Sequence, residues 1–234
     1  MPEYTALTQS DQGPRSTSST TIAIDDSATK ICFNLSNYCF EAPAIDAIEY
    51  LTGNLYDTYS NGDKYIGPPT AEREQSWRDL WQHEATMVEN WAMPILNRTD
   101  PEPYESVKSD GKEGFTAISK VYHQLGCLDL IRQYTWLQAG KYPQHLISLE
   151  MQKPADEMRG YINRCIEDLR ISLLCYSDMT PLLVTKERDL ASGFKVELNS
   201  HYKCRNFQKL QEWTNSHGVE HWEKHDEFHQ HDRL

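Results

Sequence analysis

The sequence predicts a mainly α fold, a single domain with a central pair of motif-bearing helices and long loops. Three observations predict it. Apolar residues recur at helical spacing in several segments, few stretches alternate with the two-residue period of a strand, and Pro and Gly cluster between the segments. At 234 residues the chain suits one domain with a sizeable core. The expected organisation is a flexible tail over 1–28, a folded domain over 29–216 and a His-rich acidic tail over 217–234. The first tail is rich in Ser, Thr, Gln and Asp, and so cannot repay the entropy of ordering by itself.

Taken in order, Ile45, Ile48 and Leu51 predict a short helix between Ala42 and Leu55, with Gly53 marking its end. Asn61-Gly62-Asp63 and Gly67-Pro68-Pro69 read as turns. Thr70 can cap the next helix, and Glu72 and Glu74 suit its positive first turn. That helix is expected to run to about Trp91, with Trp77, Leu80, Trp81 and Met87 packed in the core. Residues 97–112, holding Pro101, Pro103 and Gly111, read as a loop. Two strong helices follow, about Phe115–Ala139 and about Pro154–Tyr176, the second opening on a proline at a favoured start position. A last helix, about Cys204–Ser216, carries Phe207, Leu210 and Trp213 on one face.

Composition excludes several functions. The chain has 23 Lys and Arg against 35 Asp and Glu, a net charge of −12, and no basic cluster that could follow a phosphate backbone, so nucleic acid is not expected as a partner. The longest apolar stretches fall well short of the roughly 20 residues that span a bilayer, and the start is polar, so neither a membrane span nor a secretion signal is expected. The six cysteines form no C-x-x-C pair and so lack zinc-site spacing, and disulfides among them are left open. Without a signal, the reading is a cytoplasmic protein with reduced thiols, or a secretory-lumen protein if an N-terminal anchor has been removed. Two sequons, Asn34-Leu-Ser36 and Asn97-Arg-Thr99, would fit the lumen.

The two strong helices carry an internal repeat. Cys127-Leu-Asp-Leu-Ile-Arg132 and Cys165-Ile-Glu-Asp-Leu-Arg170 share the order thiol, aliphatic, acid and, at the end, aliphatic and arginine. Two like helices joined by a loop can pack together and offer matching faces to one cleft. Before each cysteine stand His123-Gln-Leu-Gly126 and Tyr161-Ile-Asn-Arg164, whose outer members share a helix face.

Over about residues 50–216 the chain resembles the UstYa-like proteins of fungal mycotoxin biosynthesis. These carry two H-x-x-H-C motifs, each running into C-[LI]-[DE]-x-[LI]-R, with a further cysteine after the second as at Cys175. Gly53-Asn-Leu-Tyr-Asp57, Tyr65-Ile-Gly-Pro-Pro69, Cys175-Tyr-Ser-Asp-Met-Thr-Pro181 and Cys204-Arg-Asn-Phe207 agree as well. The resemblance implies oxidative tailoring of metabolites, with a metal at the paired histidines and a transmembrane helix near the N-terminus. This chain departs on both counts. No such helix is found, and of the four motif histidines only His123 remains, the others being Gly126, Tyr161 and Arg164.

A guanidinium stays positive and only donates, so the altered motif makes a poor cation site; no metal and no cofactor are expected. His123, Tyr161 and Arg164 are the candidate catalytic residues. His123 could serve as acid or base, and the other two could hydrogen-bond a substrate carbonyl. Gly126 sits in a helix interior where glycine costs about 1 kcal/mol, and there it opens room for substrate. Gly126, Tyr122, Arg132 and Arg170 are the candidate substrate-binding residues. The expected activity is cofactor-independent cyclisation or isomerisation of a small-molecule biosynthetic intermediate, including pericyclic ring closure. The alternatives are a metal-dependent oxidase with other ligands and a non-catalytic partner protein, and a homodimer is left open. His217, His221, His225 and His229 recur every four residues, an imidazole stripe read as adventitious. His83-Glu84 begins a zinc-protease-like pattern that Met87 breaks, and no dinucleotide, Walker or serine-hydrolase motif occurs.

Overall fold

The computed structural model describes residues 43–60 and 62–219. The 1–28 tail, Cys32, Cys39, the Asn34 sequon and the histidine stripe from His221 onward lie outside the described residues. Within them the mainly α expectation is corrected: the fold mixes five α-helices with seven strands arranged in three small sheets.

The segment expected as a helix over 42–55 is instead a 3-10 turn at Pro43–Ala47, a strand β1 at Tyr50–Asn54 and a short helix α1 at Leu55–Tyr59. The next helix, α2, covers Ala71–Trp81, and the Thr70 side chain accepts from the Arg73 amide at 3.2 Å as its cap. It ends ten residues before Trp91, because Thr86–Glu89 forms strand β2. The expected loop over 97–112 holds strand β3, Ser106–Ser109, hairpinned to β4, Lys112–Ala117. Asp110 and Gly111 make the two-residue turn with φ of 49° and 73°, the left-handed pair that such a hairpin needs. The order in this sheet is β2–β4–β3. A Cβ on Gly114 would lie 2.7 Å from the Met87 Cγ and strike the Val88 carbonyl, so only glycine lets β4 approach β2.

Because β4 takes the residues up to Ala117, helix α3 starts later than expected, at Lys120, and runs to Gln138. Helix α4 covers Ala155–Tyr176, directly after Pro154. Strands β5 (Val184–Lys186) and β6 (Phe194–Val196) pair with each other, and β7, His201–Arg205, pairs antiparallel with β1. Helix α5, Phe207–Ser216, completes the fold. Cys204, expected at its start, belongs to β7, where it sits opposite Leu51.

The core lies between α3 and α4. Cys127, Leu130, Met158, Ile162 and Cys165 interlock there with Met151 from the connecting loop. Their spacing of three and four residues is what places them on one stripe of each helix. Contacts along the pair run in opposite directions, since His123 meets Asp168, Cys127 meets Cys165 and Arg159 lies over the Tyr134 ring. The two helices are therefore antiparallel. Among the described residues no helix is long and apolar enough to cross a membrane.

Candidate functional site

The repeat brings its two thiols together as a disulfide, Cys127–Cys165, with a Cα separation of 5.0 Å across 38 residues of chain. Both are buried. This corrects the expectation of reduced thiols; among the described residues Cys204 is a free thiol.

In an antiparallel pair linked at these positions, the residue just before each cysteine projects to the same flank, so Gly126 and Arg164 share one side of the α3–α4 seam. His123 and Tyr161 stand one turn further back on their own helices. Because the helices run oppositely, that step separates them by roughly 12 Å along the axis at 1.5 Å per residue. Each therefore has its own surroundings.

His123 is largely buried, with Nε2 3.8 Å from the Asp168 carboxylate and 3.8 Å from the Cys127 sulfur. Lys120 pairs with the same aspartate through its other oxygen. Arg164 lies over the Tyr161 ring, guanidinium carbon to centroid 4.6 Å, and its buried Nε has no hydrogen-bond partner. Tyr161 is 8% exposed and belongs to the core. Its hydroxyl accepts from Lys153 at 3.2 Å and donates to Glu157 at 3.5 Å.

A cavity of about 420 Å³ opens beside this flank, between α2, α3 and the turns at 144–152. Gly126 lines it, together with Trp81, Asp129, Leu130 and His145. Its floor is held by a buried charge network. Arg132 donates to Asp129 from Nε at 2.8 Å and to Glu74 from both terminal nitrogens at 2.9 and 2.5 Å. Trp81 and Gln133 donate to the second oxygen of Asp129 at 3.1 and 3.0 Å, and Tyr142 donates to Glu74 at 2.6 Å. Burial pushes the Asp129 carboxyl up, against the opposing pull of Arg132. Burial and donation to Glu74 push the Tyr142 phenol well above its ordinary range. A guanidinium bridging two carboxylates in a low dielectric is a rigid wall, since removing any member strands a charge.

Of the candidate substrate-binding residues, Gly126 thus lines the cavity and Arg132 braces its floor. Tyr122 is buried on another face, against His83 and Phe207, with its hydroxyl 3.0 Å from the Thr214 hydroxyl. Arg170 is exposed and pairs with Glu167 on its own helix. His83, from the broken protease-like pattern, is buried between Asn215 at 3.1 Å and Gln211 at 3.0 Å, where it docks α5.

The sequence reading gives no site role to Asp168, Lys120, Glu74, Asp129 or His145. For the two carboxylates of the repeat a signal existed, because Asp129 occupies the acidic position of its first copy and Asp168 lies beside that of the second. For Glu74 none did, as its partners Arg132 and Tyr142 are more than fifty residues away; His145 enters only through its place in the cavity wall. Among the described residues no group of three or more His, Cys, Asp and Glu is arranged to hold a metal ion. The donor set at the motif does not fit the metal that the resemblance implies. One imidazole remains, both thiols are consumed in a disulfide, and a guanidinium occupies a position where a ligand would stand.

A family model described as the mycotoxin biosynthesis protein UstYa matches residues 17–217. The chain is 60% identical over 183 residues to a transacylase of Talaromyces islandicus, cctO, covering 77% of this chain and 61% of that protein. It is 35% identical over 156 residues to the UstYa family oxidase phomYc of Diaporthe leptostromiformis, covering 67% of this chain and 60% of that one. A second oxidase of that fungus, phomYc', is 33% identical over 67% of this chain and 52% of its own length. The chain therefore spans between half and two thirds of the length of these relatives. No solved structure matches it.

Proposed function

The chain belongs to the UstYa family of fungal mycotoxin-biosynthesis proteins, and from that premise we propose that it isomerises a biosynthetic intermediate by intramolecular acyl transfer, without a redox cofactor. Acyl transfer within one molecule is an isomerisation. Two things support it: the relative at 60% identity carries the name transacylase, and the altered motif presents donors in place of metal ligands.

The observation that carries the reading is the buried Nε of Arg164, which has no hydrogen-bond partner, on the side of the α3–α4 seam that Gly126 shares. A buried donor left unmade is costly, so a position of this kind is suited to a carbonyl oxygen of the substrate. In the proposed step a substrate hydroxyl or amine attacks an ester or amide carbonyl carbon held at Arg164, and its proton passes through intervening water to His123, which stands further along the seam. The oxygen becomes an oxyanion and accepts from Arg164. The old acyl bond then breaks, and the proton passes from His123 to the leaving heteroatom, so composition does not change. Asp168, 3.8 Å from His123, stabilises the imidazolium formed in between. Tyr161 supplies the ring on which Arg164 rests and so positions it.

The disulfide supports an oxidising secretory lumen as the compartment, in preference to the cytoplasm. The test uses a fungal host that accumulates the intermediate. Expression of the chain is expected to convert that compound to one of identical mass and different chromatographic retention. Arg164→Ala should lower turnover by on the order of 10²-fold, as for loss of an oxyanion donor, and His123→Ala by about 10²- to 10⁴-fold. A product that has lost two hydrogens or gained oxygen would replace this reading with an oxidase. No conversion by protein with its disulfide intact would leave a non-catalytic partner.

A further inference from the structure

We propose that Asn97 is an N-glycosylation site, carrying an oligosaccharide that covers an apolar turn. The sequon Asn97-Arg98-Thr99 has no proline at its middle position, which the acceptor requires. It follows the 3-10 turn at Asn90–Ala92. Main-chain bonds close the segment: the Asn97 amide donates to the Pro94 carbonyl at 2.9 Å and the Arg98 amide to the Met93 carbonyl at 2.9 Å. Asn97 itself is exposed in left-handed backbone at φ 56°, and Thr99 is exposed as well. Both side chains that a glycosyltransferase reads are thus accessible on a turn whose closure uses backbone atoms.

Two further observations point the same way. The Cys127–Cys165 disulfide indicates the oxidising lumen, where the glycan donor is found; on this point the inference rests on the compartment proposed above. The sequon also lies beside Trp91, 55% exposed, and the exposed Ile95 and Leu96. A bulky, solubilising sugar beside this cluster shields apolar surface that would otherwise invite association.

The step is a group transfer without redox change. The Asn97 side-chain nitrogen forms a bond to C1 of the first sugar of a lipid-pyrophosphate-linked oligosaccharide. The sugar's bond to the pyrophosphate breaks, the lipid pyrophosphate leaves, and one amide proton passes to the transferase.

The experiment takes protein made in a fungal secretory host from the full native gene. The tryptic peptide containing Asn97 is analysed by mass spectrometry before and after peptide-N-glycosidase. A sugar-bearing peptide is expected, converted by the enzyme to the aspartate form. Asn97→Gln and Thr99→Ala should each abolish it, and Thr99→Ser should retain it. Unmodified Asn97 in protein whose Cys127–Cys165 bond is formed overturns the glycan and leaves the compartment standing. Unmodified Asn97 together with reduced Cys127 and Cys165 overturns both.

Discussion

At the residue scale, two phenols tie the fold to pH, Tyr122 buried and Tyr142 half-buried. Burial raises the Tyr122 hydroxyl above its ordinary 10.0, opposed in part by its bond to Thr214, and Tyr142 is raised by burial and by its bond to Glu74. The sign follows from linkage. A phenol raised in the folded state keeps its proton where the unfolded chain has released it, so its stabilising contribution is full below the ordinary value and is lost as pH rises beyond it. Stability is therefore expected to fall on the alkaline side of about pH 10, in urea titrations at stepped pH. Tyr142→Phe should flatten that slope while costing about 1 kcal/mol at neutral pH for the lost hydrogen bond. An unchanged alkaline slope in the double variant with Tyr122→Phe would place the effect elsewhere.

At the element scale, the β2–β4–β3 sheet depends on glycines for two different reasons. Gly111 serves the left-handed turn, so Gly111→Ala strains one residue by about 1–2 kcal/mol. Gly114 serves contact between strands, and Gly114→Ala must push β4 off the Val88 carbonyl. Thermal melts should show Gly114→Ala as the more damaging, by at least the 1–3 kcal/mol typical of overpacking; equal melting temperatures would mean that the sheet yields at no cost. The same elements show where local sequence was sufficient. Asp110-Gly111 is a strong hairpin signal, yet the segment reads as a loop because Pro101 and Pro103 dominate its composition. Strand β1 could not be read at all from its own residues, since Ile45, Ile48 and Leu51 fit a helical period and the strand's partner β7 comes about 150 residues later.

At the scale of the whole molecule, the disulfide is the clasp of the α3–α4 core. Closing a loop of 38 residues restricts the unfolded chain, and opening it should cost about 4 kcal/mol. Urea unfolding with and without reductant checks this, with the Cys127→Ala, Cys165→Ala pair as control; a midpoint indifferent to reductant would mean that the bond is absent in solution. The sequence by itself determined the helical pair, its repeat, the loss of three motif histidines and the family likeness. Helical spacing and motif order are properties of neighbours along the chain, so they survive without a fold. Tertiary structure alone decided that the paired cysteines join, that the three small sheets form, and that His123 meets Asp168 while Tyr161 turns to Lys153 and Glu157. The physical reason is direction. Antiparallel packing brings together residues at opposite ends of two similar motifs, and nothing in either motif states which way its helix will run against the other.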